Sequence, residues 1–346
     1  MDVLSDILGV VRISGSVLFW SEFCAPWAIL TPDTHKRRPA PLADARRIVL
    51  FHIVAQGTCW ARCPETDPIE FRAGDVIMVP YGDACVMNDQ PDRRPEALPP
   101  PPLAPWVDTP PVFRVGGNGE MTRMLCGFLQ VDDVLGHPLL AAMPPIFRMR
   151  PSQTFPRLQA IVSYALEEAK SARFGTVCTL NRLTEIMFVE VLRQYVEEQS
   201  GDRTTPLASL KDPLIGRVLA LLHARPSAGW TMAALAREAG TSRSVLADRF
   251  NALVGCPPMA YLNRWRMQVA SRRLRENTSS IEEIAASVGY ASLPSFSKAF
   301  KRHIGERPGS WRRREQPRAR QQNASRIPAA PADGRVSGRR APRAED

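Results

Sequence analysis

Apolar positions in the last third of the chain recur at helical spacing in two stretches of similar design. Residues 231–258 and 280–311 each begin at a hydroxyl residue suited to cap a helix, continue with an apolar stripe, break at a glycine and restart at a serine. Two helices joined by a short turn containing glycine form a helix-turn-helix, so the pattern predicts two such units. Five residues recur in the same order in both stretches. The equivalent pairs are Gly240 and Gly289, Ser242 and Ser292, Phe250 and Phe300, Gly255 and Gly305, and Pro258 and Pro308.

A third apolar stripe joins the two units. Residues 258–277 have apolar side chains mostly at helical spacing, at Tyr261, Leu262, Trp265, Val269 and Leu274. The opposite face is rich in arginine, at Arg264, Arg266, Arg272, Arg273 and Arg275. A helix of about 19 residues is roughly 28 Å long, and successive major grooves of DNA lie about 34 Å apart. The pattern therefore predicts a connecting helix that lets one chain reach two adjacent grooves.

Residues 10–90 have the pattern of short β-strands. Runs rich in β-branched and aromatic residues, such as RIVLFHIVAQG and IEFRAGDVIMVP, are separated by turn residues that include Gly74, Pro80 and Gly82. Short strands bounded by such turns indicate a β-barrel or sandwich. Residues 91–111 are rich in proline, which removes backbone donors, and predict a long exposed loop within the same domain.

Two longer amphipathic stretches follow between residues 151 and 200. Their apolar stripes lie at Leu158, Ile161, Val162 and Ala165 in the first, and at Leu183, Ile186, Met187, Leu192 and Tyr195 in the second. Packing against the barrel is one interpretation of these stripes; the alternative, a contact between two copies of the chain, is implied by the family resemblance given below. Residues 201–211 are interpreted as a linker.

The charge of the chain is unevenly distributed. The 346 residues have a formal net charge of +10, of which residues 206–316 contribute +10, residues 317–346 contribute +4 and residues 1–205 contribute −4. A basic module attached to a mildly acidic one is the electrostatic footprint of a phosphate-binding domain. Residues 317–346 combine arginine with proline, alanine, glycine and glutamine, and predict a disordered basic tail.

The N-terminus lacks the pattern of a secretory signal. Asp2 and Asp6 occupy the region that needs positive charge, and Arg12 interrupts the apolar run. No uninterrupted apolar stretch approaches the roughly 20 residues that span a bilayer. We therefore expect a cytoplasmic protein whose seven cysteines are reduced, and their spacing matches no paired zinc motif.

The two helical units and their connecting helix resemble a known family. WTMAALAREAGTSRSVLADRF, WRMQVASRRL and IAASVGYASLPSFSKAFKRHIGERPGSWRR are similar to the double helix-turn-helix DNA-binding domain of the AraC/XylS family of bacterial transcription regulators. The resemblance covers residues 210–314 and implies that the helices beginning near Ser242 and Ser292 are recognition helices. It places DNA contacts at Arg243, Ser244, Ala247, Asp248 and Asn251 in the first, and at Leu293, Ser295, Ser297, Lys298 and Lys301 in the second.

The predicted contact residues of the two helices differ in chemistry. Asp248 brings a negative charge close to phosphates unless it accepts a hydrogen bond from a cytosine amino group. Ala247 cannot hydrogen-bond to a base, and Leu293 offers a base only an apolar contact. We expect the first recognition helix to be the weaker or less specific of the two.

Residues 74–89 resemble the second cupin motif, G-x5-P-x-G-x2-H-x3-N. Gly74, Pro80 and Gly82 match, but Cys85 stands at the metal-binding histidine and Asp89 at the asparagine. The two histidines and the glutamate of the first cupin motif have no counterpart, since Leu50 stands at the glutamate position. The front of the chain thus looks like the cupin-type sensor of one branch of AraC-like regulators, with a fold suited to binding and without the ligands of a metal-dependent enzyme.

Cupin analogy also suggests which side chains point into the barrel. His52 alternates with Leu50 and Val54 on one strand face, and Cys59 shares a face with Cys63. Effector binding is predicted for a small cluster of soft and polar residues, with an inert core residue as the alternative for each of them. These candidates are His52, Cys59, Trp60 and Cys85.

The prediction is an α+β protein. It has a cupin-like barrel or sandwich for effector sensing at residues 1–150, a helical pair for dimerisation at 151–200, a linker at 201–211, an all-α double helix-turn-helix domain at 212–316 and a tail at 317–346. The predicted function is a sequence-specific transcription regulator that responds to an effector and is not an enzyme. Its expected partners are double-stranded operator or promoter DNA, an unknown small molecule, a second copy of the chain and, for an activator, RNA polymerase, with no membrane, cofactor or metal.

Two other classes of protein stay open. The first is an enzyme that carries a DNA-targeting domain, either a cupin oxygenase or a cysteine-dependent DNA-alkyl-transfer protein. The missing cupin ligands argue against the oxygenase, and the absence of a four-cysteine zinc pattern argues against the transferase. The second class is an architectural DNA binder without an effector, for which deletion of residues 1–205 would leave regulation unchanged.

Overall fold

The computed structural model describes residues 2–34, 36, 47–95, 106, 108–132, 143–152, 154–198, 206–276 and 278–325. The predicted loop at 91–111, the predicted linker at 201–211 and the predicted tail at 317–346 lie partly outside these ranges. Among the helices that the structure describes, none combines the length and apolar character needed to cross a bilayer.

The N-terminal domain contains two β-sheets. One has the strand order β10-β6-β3-β9-β1-β8 and the other the order β2-β7-β4-β5. Paired strands are antiparallel except for β1 and β8, and the two-sheet arrangement confirms the predicted cupin-like domain. The strands are β1 (Arg12–Cys24), β2 (Ala28–Leu30), β3 (Arg47–Gln56), β4 (Thr58–Arg62), β5 (Ile69–Arg72), β6 (Val76–Val79), β7 (Val86–Asn88), β8 (Val112–Gly116), β9 (Met121–Asp132) and β10 (Phe147–Met149).

Alternation along the central strands separates two hydrophobic cores. On β3, Leu50 and Val54 belong to an inner core that both sheets fill, whereas Val49, Phe51 and Ile53 belong to an outer core on the other face of the larger sheet. From the N-terminal half of the chain, the helices that contribute to the outer core are α1 (Val3–Val10), α2 (Pro156–Glu168) and α3 (Thr176–Glu198).

Helix α1 is an element that the sequence pattern did not predict. The side chain of Asp2 caps it by accepting a hydrogen bond from the Leu4 amide at 3.0 Å. Its apolar side chains, including the fully buried Ile7, lie in the outer core. The stretch is short and continuous with the apolar start of β1, and its periodicity therefore did not distinguish a helix from a strand.

Helices α2 and α3 pack against the sheet, and most residues of their predicted apolar stripes lie in this contact. Leu158, Val162, Leu183 and Met187 are buried in the outer core, whereas Ile186 is 50% exposed and lies outside the contact with the sheet. It lies one residue before Met187, and a rotation of about 100° per residue takes it out of the contact. Any contact between two copies of the chain would therefore use the opposite face of this helical pair.

The C-terminal domain is helical, as predicted. A 3-10 helix (Pro206–Lys211) leads into α4 (Pro213–Ala224), and the first unit consists of α5 (Met232–Ala239) and α6 (Arg243–Val254). The connecting helix α7 (Pro258–Glu276) has 19 residues, and the second unit consists of α8 (Ile281–Ser287) and α9 (Leu293–Ile304). Helix α10 (Pro308–Ser325) continues past residue 316, so the segment predicted as a disordered tail begins with helical residues.

The two units are packed in different ways. Phe250 and Leu246 of the first unit belong to the same continuous hydrophobic cluster as α1 and the outer face of the sheet. The second unit has a separate cluster in which Phe296 and Phe300 pack with Trp311 and the end of α7. Helix α7 contributes to both clusters and is the structural link between them.

Candidate nucleic-acid interface

The first recognition helix, α6, begins where the sequence predicts. Gly240 adopts the left-handed backbone that ends α5, with φ of 71°, and the Ser242 side chain accepts a hydrogen bond from the Val245 amide at 3.3 Å. Both features are local, and they orient the start of α6 away from the core. Among the predicted contact residues, Ala247 is half-buried, and the exposed ones are Arg243, Ser244, Asp248 and Asn251.

Further residues of α6 are exposed although the sequence did not single them out, and two of them bear on DNA contact. Val245 is 50% exposed and adds an apolar group to the first turn. Arg249 is tied to the domain, because its Nε and Nη2 atoms donate to Asp212 Oδ2 at 3.0 Å and 2.5 Å. Because Arg249 is paired with Asp212, the other exposed charges of α6 are those of Arg243 and Asp248, which are opposite in sign. This helix therefore has no net positive face.

The Asp212 carboxylate also begins helix α4. Its Oδ1 atom accepts hydrogen bonds from the amides of Leu214 at 3.0 Å and Ile215 at 2.9 Å. Partial burial opposes ionisation, but these amide hydrogen bonds and the Arg249 guanidinium outweigh it and lower the pKa of Asp212. The ion pair therefore fastens α6 to the start of the DNA-binding domain.

The second recognition helix, α9, has a basic exposed face. Ser292 caps it, and the fully buried Phe296 and Phe300 anchor its inner side. Ser295, Lys298 and Lys301 are exposed, whereas the other two predicted contacts, Leu293 and Ser297, are half-buried. Arg302, which the sequence did not single out, is also exposed and follows Lys298 at the i+4 spacing that places both side chains on one face.

Most arginines of α7 form hydrogen bonds or ion pairs with other segments of the chain. Arg266 donates to the backbone oxygens of Pro226 and Ala228 at 2.7 and 2.8 Å, and Arg273 donates to the Ser287 oxygen at 3.2 Å. Arg272 donates to the Gly9 oxygen of α1 at 2.8 Å, and the buried Arg275 forms an ion pair with Asp132 at the end of β9. Arg272 and Arg275 therefore join the DNA-binding domain to the N-terminal domain, whereas Arg266 and Arg273 form contacts within the DNA-binding domain.

The predicted effector-binding residues are only partly brought together. His52 and Cys59 are buried on the inner faces of β3 and β4, on opposite sheets. Trp60 is half-buried and points to the other face of β4, because side chains alternate along a strand and its neighbours Cys59 and Ala61 lie in the inner core. Trp60 is therefore not part of this cluster.

Cys85 is joined to Cys63 by a disulfide, which corrects the expectation that all seven cysteines are reduced. Strands β4 and β7 pair antiparallel with Arg62 opposite Val86, so the same register places Cys63 opposite Cys85 with Cα atoms 4.2 Å apart. Their spacing in the sequence, 22 residues, carries no sign of this contact.

The inner core does not fit a cupin metal centre. Cys85 stands at the histidine ligand position but is bonded to Cys63, and the buried Leu50 at the glutamate position offers no donor atom. Within the described ranges no group of three or more histidine, cysteine, aspartate or glutamate side chains is arranged to hold a metal ion. The residues present therefore do not supply the donor set of the cupin metal site.

Comparison with known proteins agrees with this architecture. A cupin family model matches residues 2–197, and a helix-turn-helix domain model matches residues 235–314. Together with the basic face of α9, these matches define the class as a DNA-binding protein in which a cupin domain precedes a double helix-turn-helix domain.

Full-length relatives identify the family. An AraC-like transcription regulator of Streptomyces lividans is 34% identical over 325 residues, covering 90% of this chain and 98% of the relative. A second, from Streptomyces antibioticus, is 30% identical over 322 residues, covering 92% and 100%. The solved DNA-binding domain of AdpA in complex with a target DNA is 29% identical and covers 32% of this chain and 97% of its own, with a TM-score of 0.30. By its relatives in sequence, the chain belongs to the AraC-like transcription regulators, and its C-terminal domain is the DNA-binding domain.

Proposed function

We propose that this regulator recognises operator DNA through the exposed faces of α6 and α9, and that a small molecule bound in the N-terminal domain changes this recognition. The basic face of α9, formed by Lys298, Lys301 and Arg302, is the observation that carries the DNA-contact assignment. Cationic side chains on a helix that enters the major groove gain affinity by displacing counterions from phosphates, and the remaining polar side chains are available for bases. The specific contact residues are those predicted for α6 and α9.

The packing supports a route from the N-terminal domain to the DNA-binding domain. Arg272 and Arg275 of α7 contact Gly9 and Asp132, and Lys211 Nζ donates to the Glu197 oxygen of α3 at 2.9 Å. A molecule that binds one packing arrangement of these elements better than another shifts the population of DNA-binding orientations. Because the first unit shares a core with α1 and the sheet, it is the unit that such a shift reaches first.

We further propose that the active form is a homodimer in the cytoplasm and that it acts by binding, not by catalysis. The outward face of the helical pair carries apolar side chains, with Tyr164 49% and Ile186 50% exposed, and suits an isologous contact between two copies. A dimer matches repeated or palindromic operator sites. If the protein activates transcription, RNA polymerase is a further partner.

The test is a fluorescence-anisotropy titration of the full chain against DNA from upstream of its own gene and neighbouring genes. Wild type is expected to prefer one site over scrambled DNA, and Lys298→Ala is expected to weaken that preference. Lys170→Ala, which removes an exposed lysine from the N-terminal domain, is the matched control and should bind as wild type does. Equal and steeply salt-dependent binding to every duplex would overturn the proposal, since it would reflect charge alone.

Sedimentation of the full chain tests the dimer separately. A dimer in wild type that dissociates in Ile186→Asp, while Val245→Asp stays dimeric, would support the proposed face. Both positions are half exposed and apolar, so the two variants differ only in which surface receives the charge.

A further inference from the structure

Three polar side chains form a row across the inner face of the larger sheet. His52 lies on β3, Cys126 on β9 and Ser21 on β1, and these strands are neighbours in the order β3-β9-β1. The pairing register sets His52 opposite Cys126 and Ser21 opposite Met124. His52 is 9%, Cys126 3% and Ser21 0% exposed, so the row is buried among apolar side chains.

The hydrogen bonds of this row allow the His52 tautomer in which Nδ1 is protonated. Ser21 Oγ lies 3.4 Å from the Met124 carbonyl oxygen, which can only accept, so the hydroxyl donates there. In that tautomer the Cys126 thiol donates to Ser21 Oγ at 3.7 Å, and its sulfur accepts from His52 Nδ1 at 3.0 Å. An imidazole that donates from Nδ1 and is neutral has a bare lone pair on Nε2. That Nε2 atom is buried and has no hydrogen-bond partner among the described residues.

Burial keeps this row uncharged. It lowers the pKa of His52 to about 4, which leaves the imidazole neutral at physiological pH. Burial also raises the pKa of Cys126 to about 12 and that of Cys59, on the facing strand β4, above the usual range for a thiol. A thiolate nucleophile is therefore absent from the row, and an anionic or cationic ligand would meet no compensating charge from these three groups.

A second polar group of the inner core has an unused hydrogen bond. The indole Nε1 of Trp27 is buried, donates to no described residue, and its ring packs against Phe23 with centroids 4.7 Å apart. The core therefore offers one buried acceptor, His52 Nε2, and one buried donor, Trp27 Nε1, among aromatic and aliphatic side chains. A buried polar atom without a partner is unfavourable, and a ligand that supplies the partner recovers that free energy.

We propose that the inner core takes a neutral, largely apolar molecule with a hydroxyl group, whose O–H donates to His52 Nε2. This inference rests on the proposed effector response and names the chemical class of the effector. His52 distinguishes the hydroxyl compound from an ether or a hydrocarbon of the same shape, because only the hydroxyl satisfies the acceptor. Trp27 donates to an oxygen of the same class of molecule.

The first experiment determines the state of the imidazole in the full chain. Nuclear magnetic resonance of ¹⁵N-histidine-labelled protein is expected to show His52 as the neutral tautomer protonated at Nδ1. The pKa of a histidine is near 6.5 in the unfolded chain, and that of His52 in the folded protein is about 4. The free energy of unfolding therefore has its full value above pH 6.5 and decreases as the pH drops towards 4. His52→Leu is expected to lose less unfolding free energy between pH 6.5 and pH 4 than wild type does, because it lacks the imidazole. A tautomer protonated at Nε2, or a charged ring at neutral pH, would overturn the inference because the acceptor would not exist.

The second experiment measures binding of p-cresol, its methyl ether 4-methylanisole, and toluene to the full chain by calorimetry. The phenol is expected to bind about tenfold more tightly than the ether and the hydrocarbon, the value of one buried hydrogen bond. His52→Leu should remove this preference, whereas His52→Gln, whose amide oxygen can accept, should restore part of it. Equal binding of the three probes to wild type, or no binding of any, would overturn the inference, and neither result depends on how the variants fold.

These outcomes are separate from those of the proposed function. DNA binding is not a readout here, so a regulator that prefers its operator but ignores p-cresol would refute the hydroxyl class and leave the proposed function standing. Hydroxyl-selective binding by a protein that shows no operator preference would support the hydroxyl class and refute the proposed function.

Discussion

The two helix-turn-helix units repeat the same sequence marks but are built into the molecule differently. Phe250 of the first unit packs in a core continuous with α1 and the sheet, whereas Phe300 of the second packs in a core of its own with Trp311. Their recognition helices also differ in charge. The exposed residues of α6 include the acidic Asp248, and its Arg249 is paired with Asp212. Helix α9 exposes three basic side chains, those of Lys298, Lys301 and Arg302. Repetition of a motif therefore does not imply repetition of its role. The first unit is joined to the N-terminal domain, and the recognition helix of the second exposes the larger positive charge.

Alanine substitution of the matched phenylalanines is the strongest test of this division. Phe250 and Phe300 are both fully buried at the same position of their units, and either truncation is expected to cost about 3–5 kcal/mol of unfolding free energy. Calorimetry should show Phe250→Ala lowering the transition of the N-terminal domain as well, and Phe300→Ala lowering only that of the second unit. Loss of N-terminal stability in Phe300→Ala would contradict the separation of the cores.

The Arg275–Asp132 ion pair tests how the N-terminal domain is joined to α7. Arg275 is 7% exposed, and Arg275→Ala leaves a partly buried carboxylate without its guanidinium at an expected cost of about 2 kcal/mol. Hydrogen exchange should increase at the end of β9 and along α7. Arg313→Ala on α10, where the arginine is exposed, should change neither. An unchanged exchange pattern in Arg275→Ala would mean that the apolar core alone joins the domains.

Removal of the α9 charges tests the asymmetry of the recognition helices. Lys298→Ala with Lys301→Ala is expected to weaken operator binding by roughly tenfold or more and to reduce the slope of log affinity against log salt by about 2. Arg243→Ala with Asp248→Ala leaves the net charge of α6 unchanged and should alter the slope much less. Equal slopes for the two double variants would show that both helices contribute equally to phosphate binding.

The smallest expected effect concerns Asp248. Asp248→Asn removes a negative charge next to phosphates and should raise operator affinity about threefold at low salt, with less effect at high salt. Anisotropy titrations at two salt concentrations measure it. A loss of affinity together with relaxed preference at one base pair would instead identify Asp248 as an acceptor for a cytosine amino group.

Most of the helical domain was predictable from sequence because its signals are local. Ser280 and Glu283 form the capping box expected from their spacing, and Gly240 and Gly255 take the left-handed backbone expected at helix ends. The paired apolar stripes then identified the buried faces of α6 and α9. The double helix-turn-helix fold and the cupin-like domain are confirmed, while the assignment of individual DNA contacts stays a prediction.

The errors have a common origin in contacts between distant segments. Arg275 looks like a surface arginine until Asp132 is placed beside it, and Cys63 looks like a free thiol until the β4–β7 register sets it opposite Cys85. Ile186 fits the apolar stripe of α3 approximately but lies outside the strip that the sheet covers. Exposure, pairing and register are properties of two segments together, and a single segment does not encode them.

The sequence by itself determined the helices of the two helix-turn-helix units, the strand-rich character of the N-terminal domain and the family, because caps, glycine positions and periodicity act within a few residues of one another. Only the tertiary structure decided that the first unit shares a core with the N-terminal domain, that Arg272 and Arg275 of α7 join the two domains, and that His52 Nε2 is buried without a hydrogen-bond partner among the described residues. These features depend on which side chains from separate strands and helices come within hydrogen-bonding or van der Waals distance, and that is settled by the packing of the whole chain.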